Sequence, residues 1–206
     1  DPLDLMISRS NQKQEEVKMQ TGRDFFLNEE QQLAVQTILK EWDQKDKSVY
    51  LLHGVTGSGK TEVYMELIDF VRKQSKQAIF PEIALTYQMV LRFYQRFGSR
   101  VSILHSRMSA GERYDQYEKA KNGEIDIMIG PRSALFTPFS NLGIIIIDEE
   151  HEESYKSETV PRYHARETAQ RRAEMEGAKL ILGSATPSVE SYYRAEKGEY
   201  CLLEMK

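Results

Sequence analysis

The stretch VYLLHGVTGSGKTEVY, residues 49–64, joins a short apolar run to a glycine-rich loop and the start of an amphipathic segment. Within it, residues 54–61 match the pattern G-x-x-x-x-G-K-[ST], which forms a phosphate-binding loop when a strand precedes it and a helix follows. The glycines let backbone N–H groups turn toward a phosphate, and the positive end of the following helix faces the same anion. A glycine-rich turn without function is the alternative, and it explains the flanking strand and helix less well.

Each position of this loop has an expected task. Lys60 should face solvent and reach the β- and γ-phosphate oxygens, and the Thr61 hydroxyl should ligate Mg²⁺. The predicted nucleotide-binding residues of the loop are Gly54, Val55, Thr56, Gly57, Ser58, Gly59, Lys60 and Thr61.

Apolar runs and amphipathic segments alternate along most of the chain. The runs predict strands at 49–52, 78–80, 101–104, 125–129, 144–147 and 180–182. Several lack in-out alternation, as parallel strands covered on both faces do. The amphipathic segments predict helices at 28–44, 61–73, 86–97, 109–121, 165–176 and 187–196. This alternation predicts a three-layer α/β domain with a mainly parallel central sheet over residues 23–206, preceded by a polar linker or arm at 1–22.

Composition excludes several classes of protein. The 206 residues carry 28 Lys and Arg against 32 Asp and Glu, a net charge of -4, so any binding of nucleic acid must be local. The single cysteine, Cys201, rules out a disulfide framework or a cysteine-rich zinc site within this chain. The longest apolar run, 144–147, is far shorter than the roughly 20 residues of a membrane-spanning helix. We therefore expect a cytoplasmic protein without membrane contact.

A second acidic motif, DEEH at 148–151, follows four consecutive isoleucines. This places carboxylates at the C-terminal edge of a buried strand, where ligands of open α/β sheets bind. We expect Asp148 to hold Mg²⁺ through water and Glu149 to orient and deprotonate the attacking water. Alone, such a cluster is more often a solvated loop, but its pairing with the phosphate loop favours ATP hydrolysis. His151 should sense the γ-phosphate, the alternative being a capping or surface histidine.

Six motifs together carry a family resemblance: GVTGSGKTEVY (54–64), PEIALT (81–86), RSALFTP (132–138), DEEH (148–151), YHAR (163–166) and GSATPS (183–188). They resemble the first RecA-like motor lobe of the PriA family of replication-restart helicases, within superfamily 2, from about Leu27 to the end of the chain. The resemblance implies Mg²⁺ and ATP as cofactors, 3′-to-5′ unwinding of DNA at stalled forks and initiation of primosome assembly. It places zinc only in parts of such a protein that this chain lacks.

The resemblance extends to the base of the nucleotide. It implies that the Gln31 amide reads adenine, with a nearby aromatic residue such as Phe26 stacking on the ring. The alternative is that Asn28 caps a helix with Gln31 in the capping-box position, and both interpretations can hold together.

The resemblance also implies an edge that holds single-stranded DNA and couples it to hydrolysis. The expected residues are Thr86, Arg132, Ser133, Tyr155, Lys156, Arg162, Tyr163, Arg166, Ser184 and Thr186. Hydroxyls and backbone N–H groups suit phosphate contact, and the aromatic and basic groups of 151–166 suit stacking and charge neutralisation. The structural alternatives are a solvated Arg132, a tethered surface loop with Tyr163 buried, and Ser184–Thr186 capping the helix after Pro187.

We interpret the chain as one lobe of a larger motor that needs a second lobe and its arginine finger. Because such a finger contributes about 10³–10⁵ in rate, the lobe alone should be weakly active. The implied partners are forked and single-stranded DNA, replication-restart proteins and single-strand-binding proteins, and the chain should be a monomer. The alternatives are a P-loop phosphotransferase, for which no arginine-rich lid is evident, and a non-hydrolysing nucleotide-dependent scaffold.

Overall fold

The computed structural model describes residues 26–206. The arm predicted at 1–22 lies outside the described residues. Seven strands form one sheet: β1 (Val49–Gly54), β2 (Gln77–Pro81), β3 (Val101–Ile103), β4 (Ile127–Gly130), β5 (Leu142–Ile147), β6 (Lys179–Ser184) and β7 (Cys201–Met205). Their order across the sheet is β3-β4-β2-β5-β6-β1-β7, and every neighbouring pair is parallel.

Within residues 26–206, six α-helices precede or connect the strands: α1 (Glu29–Lys40), α2 (Lys60–Lys73), α3 (Tyr87–Phe97), α4 (Ala110–Lys121), α5 (Ala165–Glu176) and α6 (Val189–Glu196). Short 3₁₀ turns lie at Gly98–Arg100, Arg132–Phe136 and Glu153–Tyr155. None of the helices in residues 26–206 is both long enough and apolar enough to cross a bilayer.

The sheet is buried on both faces. Side chains of α1, α2 and α3 pack with one set of strand residues, which includes Tyr50 and Leu52. The alternate residues Val49 and Leu51 point to the opposite face, where small side chains of α5 pack. Successive residues of a strand point to opposite faces, so the near-continuous apolar runs are explained by this double burial. The predicted three-layer arrangement with a parallel sheet is confirmed.

The two largest differences from the predicted elements are a helix that ends early and a strand that was not predicted. The first helix ends at Lys40 and not at residue 44, because residues 41–46 turn away from it. Strand β7 was not predicted; within residues 26–206 it pairs only with β1, at the edge of the sheet, and it is partly exposed. An edge strand of five residues without strict alternation gives little periodic signal.

The parallel sheet positions the site. Because all strands run in the same direction, the loops that follow them lie at one edge. The phosphate loop follows β1, residues 82–86 follow β2, the turn Arg132–Phe136 follows β4, the DEEH motif follows β5 and residues 185–188 follow β6. Five motifs that are far apart in sequence thus meet at the C-terminal edge.

Candidate active site

The phosphate loop turns back toward α2 through two glycines in left-handed conformation. Gly57 has φ +85° and Gly59, the N-cap of α2, has φ +83°, a region that favours glycine. A Cβ at Gly59 would also lie 1.9 Å from the Gln31 side-chain nitrogen. The backbone angle at position 59 therefore favours glycine, and an added Cβ would also force the Gln31 side chain to move.

Lys60 is buried, which corrects the expectation that it faces solvent. Its side chain is 6% exposed, and Nζ donates a hydrogen bond to the Gly54 carbonyl at 2.8 Å. The inward-turned loop carbonyls accept from the ammonium and so offset the cost of its burial. The same Nζ lies 3.9 Å from Glu149 Oε1, so the side chain lies between the phosphate loop and the acidic motif.

A cavity of about 660 Å³ joins these groups. Its lining brings together the start of α1, the phosphate loop, the acidic motif and one side chain of α3: Phe26, Asn28, Gln31, Thr56, Gly57, Gly59, Lys60, Thr61, Glu62, Arg92, Asp148 and Glu149. The remaining predicted loop residues, Gly54, Val55 and Ser58, are not part of this lining. Both halves of the predicted site therefore share one cavity.

The start of α1 forms the capping box that was one interpretation of this segment. Asn28 Oδ1 accepts from the Gln31 N–H at 2.9 Å, and Gln31 Oε1 accepts from the Asn28 N–H at 2.8 Å. Gln31 Nε2 lies 3.4 Å from the Gly59 carbonyl, and the Phe26 side chain is 86% exposed beside the same cavity. The capping interpretation is confirmed, and recognition of adenine stays a prediction.

Asp148 and Glu149 lie at the end of β5 beside the phosphate loop. The Asp148 carboxylate and the Thr61 hydroxyl supply hard oxygen donors, which suit Mg²⁺. In residues 26–206 no three His, Cys, Asp or Glu side chains are grouped closely enough to hold a metal by themselves. That donor set fits a magnesium ion that also takes phosphate and water ligands, as nucleotide-bound Mg²⁺ does.

His151 connects the acidic motif to the strand-end loop after β6. Its Nδ1 lies 2.7 Å from Ser184 Oγ and 3.6 Å from Glu149 Oε2, and its Nε2 lies 3.4 Å from Thr186 Oγ1. Ser184 is fully buried, and its hydroxyl also accepts from the Thr186 N–H at 3.0 Å. The residues predicted to report the phosphate state are therefore in contact, while the reporting itself stays a prediction.

At the predicted DNA edge, Arg132 contacts the segment that follows the acidic motif. Its guanidinium donates to the Lys156 carbonyl and lies 5.9 Å from the centre of the Tyr163 ring. Tyr163 also packs edge-on against Phe136, at 5.3 Å between ring centres. Lys156 and Arg162 are exposed, and Tyr163 is half-buried. Arg132 and these neighbours thus form one aromatic and basic surface.

Thr86 and Ser133 lie at the same edge of the sheet. Thr86 is exposed and its hydroxyl accepts from the Met89 N–H at 3.3 Å, so it caps α3. Ser133 is half-buried, and its carbonyl accepts from the Tyr117 hydroxyl at 3.2 Å. Each of the two residues therefore has a partner within the protein at this edge.

Two residues predicted to contact DNA are buried, so the structure does not support that contact. Tyr155 is 1% exposed, and its hydroxyl donates to the Asp148 carbonyl at 2.7 Å. Arg166 is 6% exposed and pairs with Glu150 at 3.1 Å and with Glu190 at 2.6 Å. The polar groups of both side chains are used in contacts inside the protein, either with the acidic motif or with residues next to it.

Glu150 is a residue that the sequence analysis missed. Its buried carboxylate accepts from the Ser188 N–H at 2.7 Å, from the Ser191 hydroxyl at 2.9 Å and from Arg166. This network joins the acidic motif to the N-terminus of α6. The available signal was the Ser-x-x-Ser spacing at the start of that helix, which places two hydroxyls near its first turn.

Glu82 is a second missed residue, directly after β2. Burial and, to a smaller extent, the nearby charges of Asp148 and Glu149 raise the pKa of its carboxyl group to about 7, against the lowering effect of the hydrogen bond from the Ala84 N–H. That hydrogen bond is 2.9 Å long. A carboxyl group at a strand end beside two others is the pattern that could have identified it.

The chain is similar in sequence to several known proteins. Residues 24–189 match the family described as type III restriction enzyme, res subunit. The replication restart protein PriA of Bacillus subtilis is 54% identical over 182 residues, which is 87% of this chain and 23% of that protein. PriA of Chlamydia pneumoniae is 46% identical over 182 residues, which is 87% of this chain and 24% of that protein. The chain thus spans about a quarter of the length of these curated relatives.

Two solved structures show the same fold. RecG bound to a three-way DNA junction matches with a TM-score of 0.66 and 22% identity, over 95% of this chain and 26% of that one. The helicase MrfA bound to DNA and AMPPNP matches with a TM-score of 0.60 and 19% identity, over 92% of this chain and 28% of that one. They confirm the predicted RecA-like α/β fold. With the resemblance to PriA confirmed as well, the chain belongs to the family of the type III restriction enzyme res subunit.

Proposed function

We propose that the chain is the ATP-binding motor lobe of a DNA helicase that unwinds DNA with 3′-to-5′ polarity at stalled replication forks and initiates primosome assembly. The observation that carries the proposal is the single cavity lined by Lys60, Thr61, Asp148 and Glu149. Phosphate binding, metal binding and water activation would all need to occur within one such space.

Residues that line the cavity have proposed roles in binding or hydrolysing ATP. The N–H groups at the start of α2 bind the phosphates, and Lys60 exchanges its bond with the Gly54 carbonyl for a phosphate oxygen. Thr61 and Asp148 hold Mg²⁺, which when bound neutralises the charge on the phosphates. Glu149 accepts a proton from the attacking water, and Gln31 selects adenine.

Coupling to DNA uses the contacts that begin at His151. A change at Glu149, 3.6 Å from the imidazole, reaches Ser184 and Thr186 through the two ring nitrogens. DNA phosphates and bases bind along the surface of Arg132, Lys156 and Tyr163 and at Thr86. Replication-restart and single-strand-binding proteins are the proposed protein partners, with the chain acting as a monomer.

The first test is nucleotide binding by this chain. In a calorimetric titration with ADP or a non-hydrolysable ATP analogue, both with Mg²⁺, Lys60→Ala should lower the affinity at least about tenfold, because a charge-assisted phosphate contact is lost. Lys73→Ala is the matched control, since it removes a lysine of the same helix whose side chain is 74% exposed. Equal binding by Lys60→Ala and the wild-type chain would contradict the assignment.

The second test is unwinding. A chimaera in which this chain replaces the matching segment of Bacillus subtilis PriA should release phosphate in a DNA-stimulated manner and unwind a duplex that carries a 3′ overhang. Glu149→Gln in the chimaera should keep nucleotide affinity and lose hydrolysis. A chimaera that binds ATP but releases no phosphate would indicate a non-hydrolysing scaffold, and unwinding only from a 5′ overhang would refute the polarity.

A further inference from the structure

Tyr64 contacts the acidic motif, and the proposed function gives this contact no role. It lies on α2, one helical turn after Lys60, and its side chain is fully buried. Its hydroxyl donates a hydrogen bond of 2.8 Å to Asp148 Oδ1, across 84 positions of sequence. Burial, and then the charge of Asp148, raises the pKa of Tyr64 well above its usual value, so the hydroxyl keeps its proton.

The neighbouring strand leaves space for this contact. A Cβ at Gly183 would lie 1.6 Å from the Tyr64 hydroxyl oxygen and 2.8 Å from Asp148 Oδ1. Any larger residue at position 183 would therefore displace the tyrosine, the carboxylate or both. The contact is built by three elements, α2, β5 and β6, which all converge on Asp148.

The main chain and the side chain of Asp148 are fixed separately. The Tyr155 hydroxyl donates to the Asp148 carbonyl at 2.7 Å, which restrains the backbone. Within residues 26–206 the Asp148 carboxylate has only the Tyr64 hydroxyl as a hydrogen-bond partner. Without that partner the carboxylate is free to rotate about its last side-chain bond.

We propose that Tyr64 is a positioning residue that orients the Asp148 carboxylate for Mg²⁺. Its hydroxyl bonds Oδ1, so that Oδ2 stays available to the hydration shell of the metal. The same hydrogen bond links the acidic motif to the helix that carries Lys60. Partners that orient a ligand in this way commonly change metal affinity when they are removed. The inference rests on the proposed function, since it requires Asp148 to hold Mg²⁺.

The test compares Tyr64→Phe with Tyr200→Phe in this chain. Phenylalanine keeps the ring and removes only the hydroxyl. Tyr200 is also buried, and its hydroxyl donates to Gln170 Oε1 at 2.9 Å, so it controls for the loss of a buried hydrogen bond away from Asp148. The readout is the Mg²⁺ concentration that gives half-maximal binding of a non-hydrolysable ATP analogue. It should rise about tenfold for Tyr64→Phe and stay unchanged for Tyr200→Phe.

A second variant separates positioning from a general loss of packing. If Tyr64 acts through Asp148, Tyr64→Phe should add no further shift in an Asp148→Asn background, because residues that act as a unit are not additive. An unchanged Mg²⁺ requirement in Tyr64→Phe, or a full additional shift in the double variant, would overturn the inference alone. Absence of Mg²⁺-dependent binding by the wild-type chain would overturn the proposed function and this inference with it.

Discussion

Replacing Arg166 by methionine should destabilise the chain strongly, although a basic residue in a YHAR block looks like a surface residue. The Arg166 side chain is 8% exposed and that of Glu150 is fully buried, with 3.1 Å between them. Removing one partner of a buried ion pair costs about 3–5 kcal/mol, because the other charge is left uncompensated. Methionine fills a similar volume, so the effect isolates the charge and its hydrogen bonds.

The two partners should not be equivalent. Arg166 has a second carboxylate, Glu190, at 2.6 Å, so Glu150→Gln leaves the guanidinium partly compensated. For Glu150→Gln we expect the free energy of unfolding to fall by about 3 kcal/mol, the lower end of that range. Arg166→Met leaves the Glu150 carboxylate with only the Ser188 and Ser191 donors. The free energy of unfolding of this variant should therefore fall by about 5 kcal/mol, the upper end of the range.

Urea denaturation of this chain measures both losses, provided that the m-value is unchanged. Glu190→Gln is the control, because that side chain is 48% exposed and an exposed partner contributes about 1 kcal/mol or less. The double variant Glu150→Gln with Arg166→Met should lose less than the sum of the single variants. A loss below about 1 kcal/mol for Arg166→Met, or strict additivity in the double variant, would refute the ion-pair reasoning.

Two further predictions concern the edge of the sheet. Gly59→Ala should lower the denaturation midpoint more than Gly57→Ala. Both glycines have positive φ, but only a Cβ at position 59 would meet a neighbour, Gln31 at 1.9 Å. Equal decreases in the midpoint would contradict this reasoning. The raised pKa of Glu82, about 7 against 4.5, means that the folded chain binds a proton that the unfolded chain has released. The contribution of Glu82 to stability is therefore fully present below pH 4.5 and falls by up to about 3 kcal/mol as the pH rises to 7. Glu82→Gln should remove this part of the pH dependence in denaturation experiments, and an unchanged slope would contradict it.

The candidate nucleotide site could be located from sequence because the motifs that define it are local. Eight consecutive residues specify the phosphate loop, and the acidic motif follows a strand that is recognisable from four isoleucines. The parallel sheet then brings these segments to one edge without further information. The capping box of Asn28 and Gln31 was visible for the same reason, since its members are three residues apart.

The contacts that orient the site were not predictable from sequence because they join distant residues. Tyr64 reads as one apolar position of an amphipathic helix, and nothing local indicates that its hydroxyl meets Asp148. Arg166 reads as a surface cation until its partner Glu150, 16 residues earlier, is known to point inward. Periodicity predicts which face of an element is buried, but it does not predict which polar groups pair there.

The four adjacent polar residues of the acidic motif have three different surroundings, and the backbone explains why. Glu149 adopts φ +47°, a left-handed conformation that costs a residue with a Cβ about 1–2 kcal/mol. The reversal lets the Glu150 N–H donate to the Gly183 carbonyl at 3.1 Å, so the chain stays attached to β6 as it leaves β5. Asp148 and Glu149 then line the cavity, Glu150 enters the core and His151 reaches Ser184. Because no sequence rule assigns positive φ to a glutamate, the sequence could identify the motif and suggest roles for Asp148 and Glu149, but it could not show that Glu150 turns into the core and supports the fold.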